Sequence, residues 1–149
     1  MKVAVLGIVD PKGLSFLKEN EFKVIEIENF EIQNLREQLE DVDGILLRTT
    51  RLDKEILQHC NNLKIISRHG VGYDNVDLDF LNQNKIALSI TSTSNAVSVA
   101  EHVLSFFIYL TKNLTLSDSL VKEGNFEKRS QLPNFFELYK KKVLIIGFG

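Results

Sequence analysis

Three short runs of the 149-residue sequence gather groups that bind anions: Arg48-Thr49-Thr50-Arg51, Arg68-His69-Gly70-Val71-Gly72 and Thr91-Ser92-Thr93-Ser94-Asn95. Guanidinium groups give paired hydrogen bonds to carboxylate or phosphate. Glycines let peptide N–H groups approach a ligand that side chains would hold off. Each run directly follows a β-rich stretch, and in a parallel sheet ligands bind outside the carboxyl ends of the strands. All three are therefore expected on one rim, with helix N-termini close behind, near Asp77 and at Ala96. The glycines suit a small carboxylate better than a nucleotide. The third glycine of a dinucleotide turn is replaced by Asn75, and Asp74 puts an acid where phosphate would lie.

Plainer readings compete for the same residues. Arg48 reads equally as a surface cation in a weak ion pair, and Gly70-Val71-Gly72 as a tight turn between strand and helix. His69 is of a type that can act as acid or base, but the sequence assigns it no carboxylate partner. Glu101 and His102 lie one turn into a helix, where a dipole or domain contact accounts for them. Cys60 reads as a buried thiol without a function. As the only cysteine it excludes an intrachain disulfide, and no Cys/His cluster has metal-ligand spacing. A reducing, cytoplasmic setting is the default expectation.

Composition narrows the partners. With 44% hydrophobic residues, 26% charged residues and a net charge of -2, the chain reads as an ordinary globular protein lacking a basic face for nucleic acid. No apolar stretch of signal-peptide shape opens it. The longest apolar run, residues 103–110, is interrupted by Ser105 and falls far short of the roughly 20 residues that cross a membrane. No membrane partner is expected.

The elements that must position the rim alternate from the start. Strands are expected at residues 2–9, 22–28, 43–48, 64–67 and 86–90, with helices between them carrying Leu14 and Leu17, Leu35 and Leu39, Ile56 and Leu57, and Leu78 and Leu81 inward. This βα alternation predicts an α/β fold with a five-stranded, doubly wound parallel sheet. The polar loop then leads, with Asn95 as N-cap, into a helix from Ala96 to about Lys112. Residues 103–110 are apolar nearly all round, which calls for burial on more than one side. A second helical stretch at residues 116–123 ends at Gly124, and a segment with Pro133 reads as an exposed arm. Val143-Leu144-Ile145-Ile146 is expected as a sixth strand, opening into Gly147-Phe148-Gly149, the first two glycines of a dinucleotide turn.

Ile66-Ser67-Arg68-His69-Gly70-Val71-Gly72-Tyr73-Asp74-Asn75-Val76-Asp77, Asn95-Ala96-Val97-Ser98-Val99-Ala100-Glu101-His102 and the run from Lys142 to Gly149 resemble, in order, segments of the NAD-dependent D-2-hydroxyacid dehydrogenases. Leu47-Arg48-Thr49 is similar to the branch acting on 3-phosphoglycerate. The resemblance covers essentially the whole chain. It implies a flavodoxin-like substrate domain at 1–94, a crossing helix and dimerisation arm at 95–140, and the start of a Rossmann domain at 141–149. It also implies hydride transfer between NAD, with NADP the open alternative, and a small anionic 2-hydroxy or 2-oxo acid. Arg48, Thr49, Gly70, Val71, Gly72 and Asn95 would face the substrate. Val71, Gly147, Phe148 and Gly149 would face the cofactor. A homodimer through the arm and Rossmann domain follows from the same resemblance. The family's catalytic arginine, glutamate and histidine lie beyond the dinucleotide turn, so the chain is expected to be a front part without them, inactive alone and marginally stable. Two other readings stay open: a non-enzymatic corepressor-like module on the same scaffold, and a response-regulator-like fold, which Asp10 alone after the first strand disfavours.

Overall fold

The computed structural model describes residues 1–147, which fall into two compact units divided between Ser94 and Asn95. In the first unit, β1 (Lys2–Leu6), β2 (Lys23–Ile27), β3 (Gly44–Leu47), β4 (Ile65–Arg68) and β5 (Ala87–Ile90) form a parallel sheet in the order β2-β1-β3-β4-β5. That is the flavodoxin-like order, with its switch point between β1 and β3. The helices between the strands are α1 (Pro11–Glu19), α2 (Ile32–Leu39), α3 (Lys54–Leu57) and α4 (Leu78–Asn84). The expected α/β architecture is therefore present, with four strands shorter than the sequence pattern suggests and β4 of the expected length, shifted by one residue.

Local chemistry sets the element ends. Gly7 takes φ +107 and turns the chain out of β1, so that strand stops three residues before the expected Val9. Asp10, Asp53 and Asp77 each accept a backbone N–H of the first helical turn, from Lys12, Glu55 and Phe80, and so start α1, α3 and α4. Pro11 occupies the first turn of α1, where its missing N–H costs nothing.

Right-handed crossovers put α2, α3 and α4 on one face of this strand order and α1 on the other. The core lies on the three-helix face. Ala4, Leu6, Ile45, Leu47 and Ile66 from the strands meet Leu35, Leu39, Ile56, Leu57 and Leu81 from the helices. Leu78 was expected inward, but it sits in the first turn of α4 and is exposed. On the opposite face α1 contributes no buried residue, so Leu14 and Leu17 are only half-buried.

The second unit contains α5 (Ala96–Thr111), α6 (Leu114–Lys122) and a 3-10 turn at Phe126–Gln131. Asn95 is the N-cap residue of α5, but its side chain makes no capping hydrogen bond. Burial departs from the sequence expectation: α5 has no buried residue, and Val97, Leu104 and Leu110 are well exposed. Its apolar surface is a demand for cover that the described residues do not meet. Residues 143–146 also form no strand, and their side chains lie in the open. A β-branched run becomes a strand only beside a hydrogen-bonding partner, and none is paired with it among the described residues. No helix among the described residues is long and apolar enough to cross a membrane.

Candidate functional site

The carboxyl ends of β1, β3, β4 and β5 share one rim of the first unit, and hydrogen bonds join each loop to its neighbour in sheet order. Arg48, the residue after β3, donates from Nη1 to the carbonyl of Ile8 after β1 at 2.7 Å. Gly7 makes room for that approach, since a Cβ there would come within 3.0 Å of Arg48 Cβ. The loops after β3 and β4 are joined by Asn75 Nδ2, which donates to the carbonyl of Thr50 at 2.8 Å. A short parallel bridge between Leu52 and Val76 reinforces that link. Thr91, just after β5, donates its backbone N–H to the carbonyl of Gly70 at 3.0 Å.

Arg48 and Thr49 lie exposed on this rim with the loop from Gly70 to Gly72, as the strand ends require. One hydrogen bond, to Ile8, is recorded for the Arg48 guanidinium among the described residues, and the group carries five N–H donors. Val71 is partly exposed. Gly70 has φ +153, and a Cβ there would fall 1.3 Å from Arg68 Nη1. The glycine is needed because the Arg68 side chain folds back over its own loop and donates to the His69 carbonyl at 2.7 Å. Gly72 is under no such pressure; a Cβ would meet Asp74 Oδ2 at 3.4 Å, an ordinary contact.

Asn75 and Gly7 are the rim residues to which the sequence reading gave no role, and Arg68 entered it only as part of an anion-binding run. Gly7 carried a signal, a glycine within the run expected as the first strand. Arg68 and Asn75 carried little, because their parts depend on a fold-back and on contacts between loops far apart in the chain. Among the described residues three buried side-chain polar atoms lack a protein partner, and all lie on these loops or strand ends: Arg68 Nε, Asn75 Oδ1 and Thr91 Oγ1. A buried polar atom left unpaired costs about 1 to 3 kcal/mol, so each of these atoms calls for a partner.

Asn95 opens the second unit. His69 is exposed, and its backbone N–H continues the β3–β4 ladder by donating to Leu47 at 2.7 Å. His102 packs against Phe106 on α5, with ring centroids 4.2 Å apart. Burial pushes the Cys60 thiol up to about 11, so it carries no thiolate at neutral pH. Among the described residues no three His, Cys, Asp or Glu side chains gather as a metal site.

Gly147 takes φ +85, a backbone form available to the glycines of a dinucleotide turn, but no strand leads into it; Phe148 and Gly149 lie outside the described residues. The described residues therefore do not form a dinucleotide cradle.

Comparison with known proteins gives a consistent family. The sequence model of the D-isomer specific 2-hydroxyacid dehydrogenase catalytic domain matches residues 3–141. A Staphylococcus saprophyticus protein named for the 2-hydroxyacid dehydrogenases is 31% identical over 156 residues, which take in 100% of this chain and 48% of that protein. The D-3-phosphoglycerate dehydrogenase of Archaeoglobus fulgidus is 29% identical over 150 residues, 100% of this chain and 28% of its own. Among solved structures, NAD+-bound 3-phosphoglycerate dehydrogenase of Entamoeba histolytica is 31% identical with a TM-score of 0.67, over 75% of this chain and 39% of that one. The chain thus spans less than half the length of these relatives.

Proposed function

The chain belongs to the D-isomer specific 2-hydroxyacid dehydrogenase family, and on that premise we propose that it supplies the substrate-anion side of a nicotinamide-linked oxidoreductase. In the whole protein a hydride passes between NAD or NADP and a small 2-hydroxy acid, with 3-phosphoglycerate the first candidate because of the relatives named for it. The observation that carries the reading is the exposed Arg48 guanidinium, with one recorded hydrogen bond, on the same rim as the loop from Gly70 to Gly72. A carboxylate there meets a guanidinium group and backbone amides. The cofactor supplies the redox chemistry when bound, whereas Arg48 and the loop from Gly70 to Gly72 hold and orient the acid. Asn95 is proposed as a further substrate contact, Val71 as the apolar neighbour of the nicotinamide, and the glycine turn from Gly147 as part of the pyrophosphate site. A homodimer through the 95–140 arm and the nucleotide domain belongs to the same proposal.

The test is steady-state kinetics of the full-length protein with NADH or NADPH and glyoxylate, pyruvate and 3-phosphohydroxypyruvate in turn. Arg48→Ala should raise KM for the acid about tenfold or more while leaving KM for the nicotinamide nearly unchanged, because it removes a charge-assisted bond to the acid alone. Equal loss of both would contradict the anion assignment. No turnover of any 2-oxo acid by the wild type would sink the enzyme reading in favour of a non-enzymatic binding module.

A further inference from the structure

The geometry points to Asn75 as a positioning residue that sets the distance between the Arg48 loop and the Gly70 loop, and with it the affinity of the rim for a 2-oxo carboxylate; this rests on the anion-rim reading above. In sheet order the loop after β1 is tied to that after β3 by Arg48 and Ile8. The loop after β3 is tied to that after β4 by Thr50 and Asn75, and the loop after β4 to that after β5 by Gly70 and Thr91. The middle tie separates the two loops that carry the candidate substrate contacts. It is the partly buried one of the two that use a side chain.

The residues around Asn75 fix it from both sides. Leu52 N–H donates to the Asn75 carbonyl at 2.8 Å, and Asp77 N–H donates to the Leu52 carbonyl at 3.1 Å. Leu52 is fully buried and Val76 nearly so, which seats this bridge in the core. Val76 N–H closes a turn onto the Tyr73 carbonyl at 3.0 Å, and the Asp77 side chain starts α4. The Asn75 backbone is therefore held, and its amide reaches across to a carbonyl two residues beyond Arg48. The chemistry selects a neutral amide. An aspartate at this place would set a carboxylate against the Thr50 carbonyl, with no N–H to give.

Loss of Asn75 Nδ2 as donor frees the Thr50 carbonyl and lets the Arg48 loop drift from the Gly70 loop. Misplacement on the order of 1 Å between groups that bind one ligand is enough to weaken its capture sharply.

The experiment uses the full-length protein with oxalate as an unreactive probe of the 2-oxo acid shape, and glyoxylate as the reactive one. Asn75→Ala and Asn75→Gln are compared with wild type by calorimetric titration of oxalate, by KM for glyoxylate and for NADH, and by exchange of the Leu52 and Asp77 amide hydrogens. Asn75→Ala should weaken oxalate and raise the glyoxylate KM roughly tenfold, with kcat and the NADH KM within about twofold and Leu52 exchanging faster. Asn75→Gln keeps a donor and should recover part of the loss. Should the alanine variant fail to fold, Asn75→Ser, whose hydroxyl is too short to reach Thr50, takes its place on the same scale. Unchanged oxalate affinity overturns the proposal, as does equal weakening of oxalate and NADH. A wild type that binds oxalate but reduces no 2-oxo acid sinks the dehydrogenase reading alone, since the titration still decides the role of Asn75. A wild type that binds no oxalate overturns both.

Discussion

The two units of this chain treat hydrophobic side chains in opposite ways. In the first, Leu6, Leu39, Leu47 and Ile66 are completely withdrawn from water between the sheet and α2, α3 and α4. In the second, a helix of higher mean hydropathy buries none of its residues, and Leu104 is 60% exposed. Hydrophobicity therefore measures what a segment needs, and only the surroundings determine whether the need is met. The first unit meets its own, and so can hold a polar rim in register. The second carries an apolar surface that its own residues leave uncovered.

A matched pair of leucines gives the largest test of that contrast. Leu39→Ala in α2 should cost about 2 to 5 kcal/mol, because it removes contacts and leaves a cavity in a closed core. Leu104→Ala in α5 of the same 149-residue chain should change stability by no more than about 0.5 kcal/mol, because water already reaches the side chain. Urea unfolding followed by circular dichroism reads both. Equal losses would show that α5 is covered in solution, and the contrast would fail. An apolar dye supplies an independent reading: it should bind the folded chain, with less signal after Leu104→Glu and Leu110→Glu together.

The first unit was legible in the sequence for reasons that reappear in the structure. Short β-branched runs alternate with helical spacing, and Asp77 stands at the helix start it caps. Leu35 and Leu39, four apart, both reach the core. The second unit was less legible because the same signals there describe relations to something else. Val143, Leu144, Ile145 and Ile146 have the composition of a strand and no ladder to join. The apolar girth of α5 announces two-sided packing without supplying it. On the candidate rim, Arg48 and the Gly70 loop were visible because they follow strands directly. Asn75 was visible only as a departure from a glycine motif, since its partner Thr50 lies 25 residues away and the pairing exists only once β3 and β4 are in register.

Within the first unit, Gly70→Ala tests whether the rim depends on the space this glycine leaves. The added Cβ would overlap Arg68 Nη1 and strain a backbone at φ +153, so the Arg68 side chain must leave its place over the loop. Anion affinity of the full-length protein should fall by about tenfold or more. The stability cost should be smaller than that of Leu39→Ala, because the far end of a long side chain can move where a core leucine cannot be replaced. Retained oxalate affinity would show that the fold-back of Arg68 has no part in the rim.

The smallest effect lies at the opposite end of the strands from the rim, where Asp43 binds three elements of the first unit together. Its carboxylate accepts from the backbone N–H of Lys2 at 2.8 Å and from Lys64 Nζ at 2.6 Å, and the Lys64 bond is the largest of the causes that hold its pKa below the ordinary carboxylate value. Asp41 is lowered in the same direction, first by its hydrogen bond from Lys2. A carboxyl depressed in the folded state contributes stability above its unfolded pKa, near 3.9, and loses that contribution as the pH falls through the lower folded value. Acid titration should therefore weaken the first unit below about pH 4, and Asp43→Asn should flatten that dependence while lowering stability slightly at pH 7. Because these carboxylates stand on the exposed amino-terminal side of the sheet, the effect is screened by water and salt. It should shrink further in concentrated sodium chloride, where the loss from Leu39→Ala persists. An Asp43→Asn protein that kept the full acid dependence would move its source to other carboxyls and detach it from the strand ends that Lys2 and Lys64 hold together.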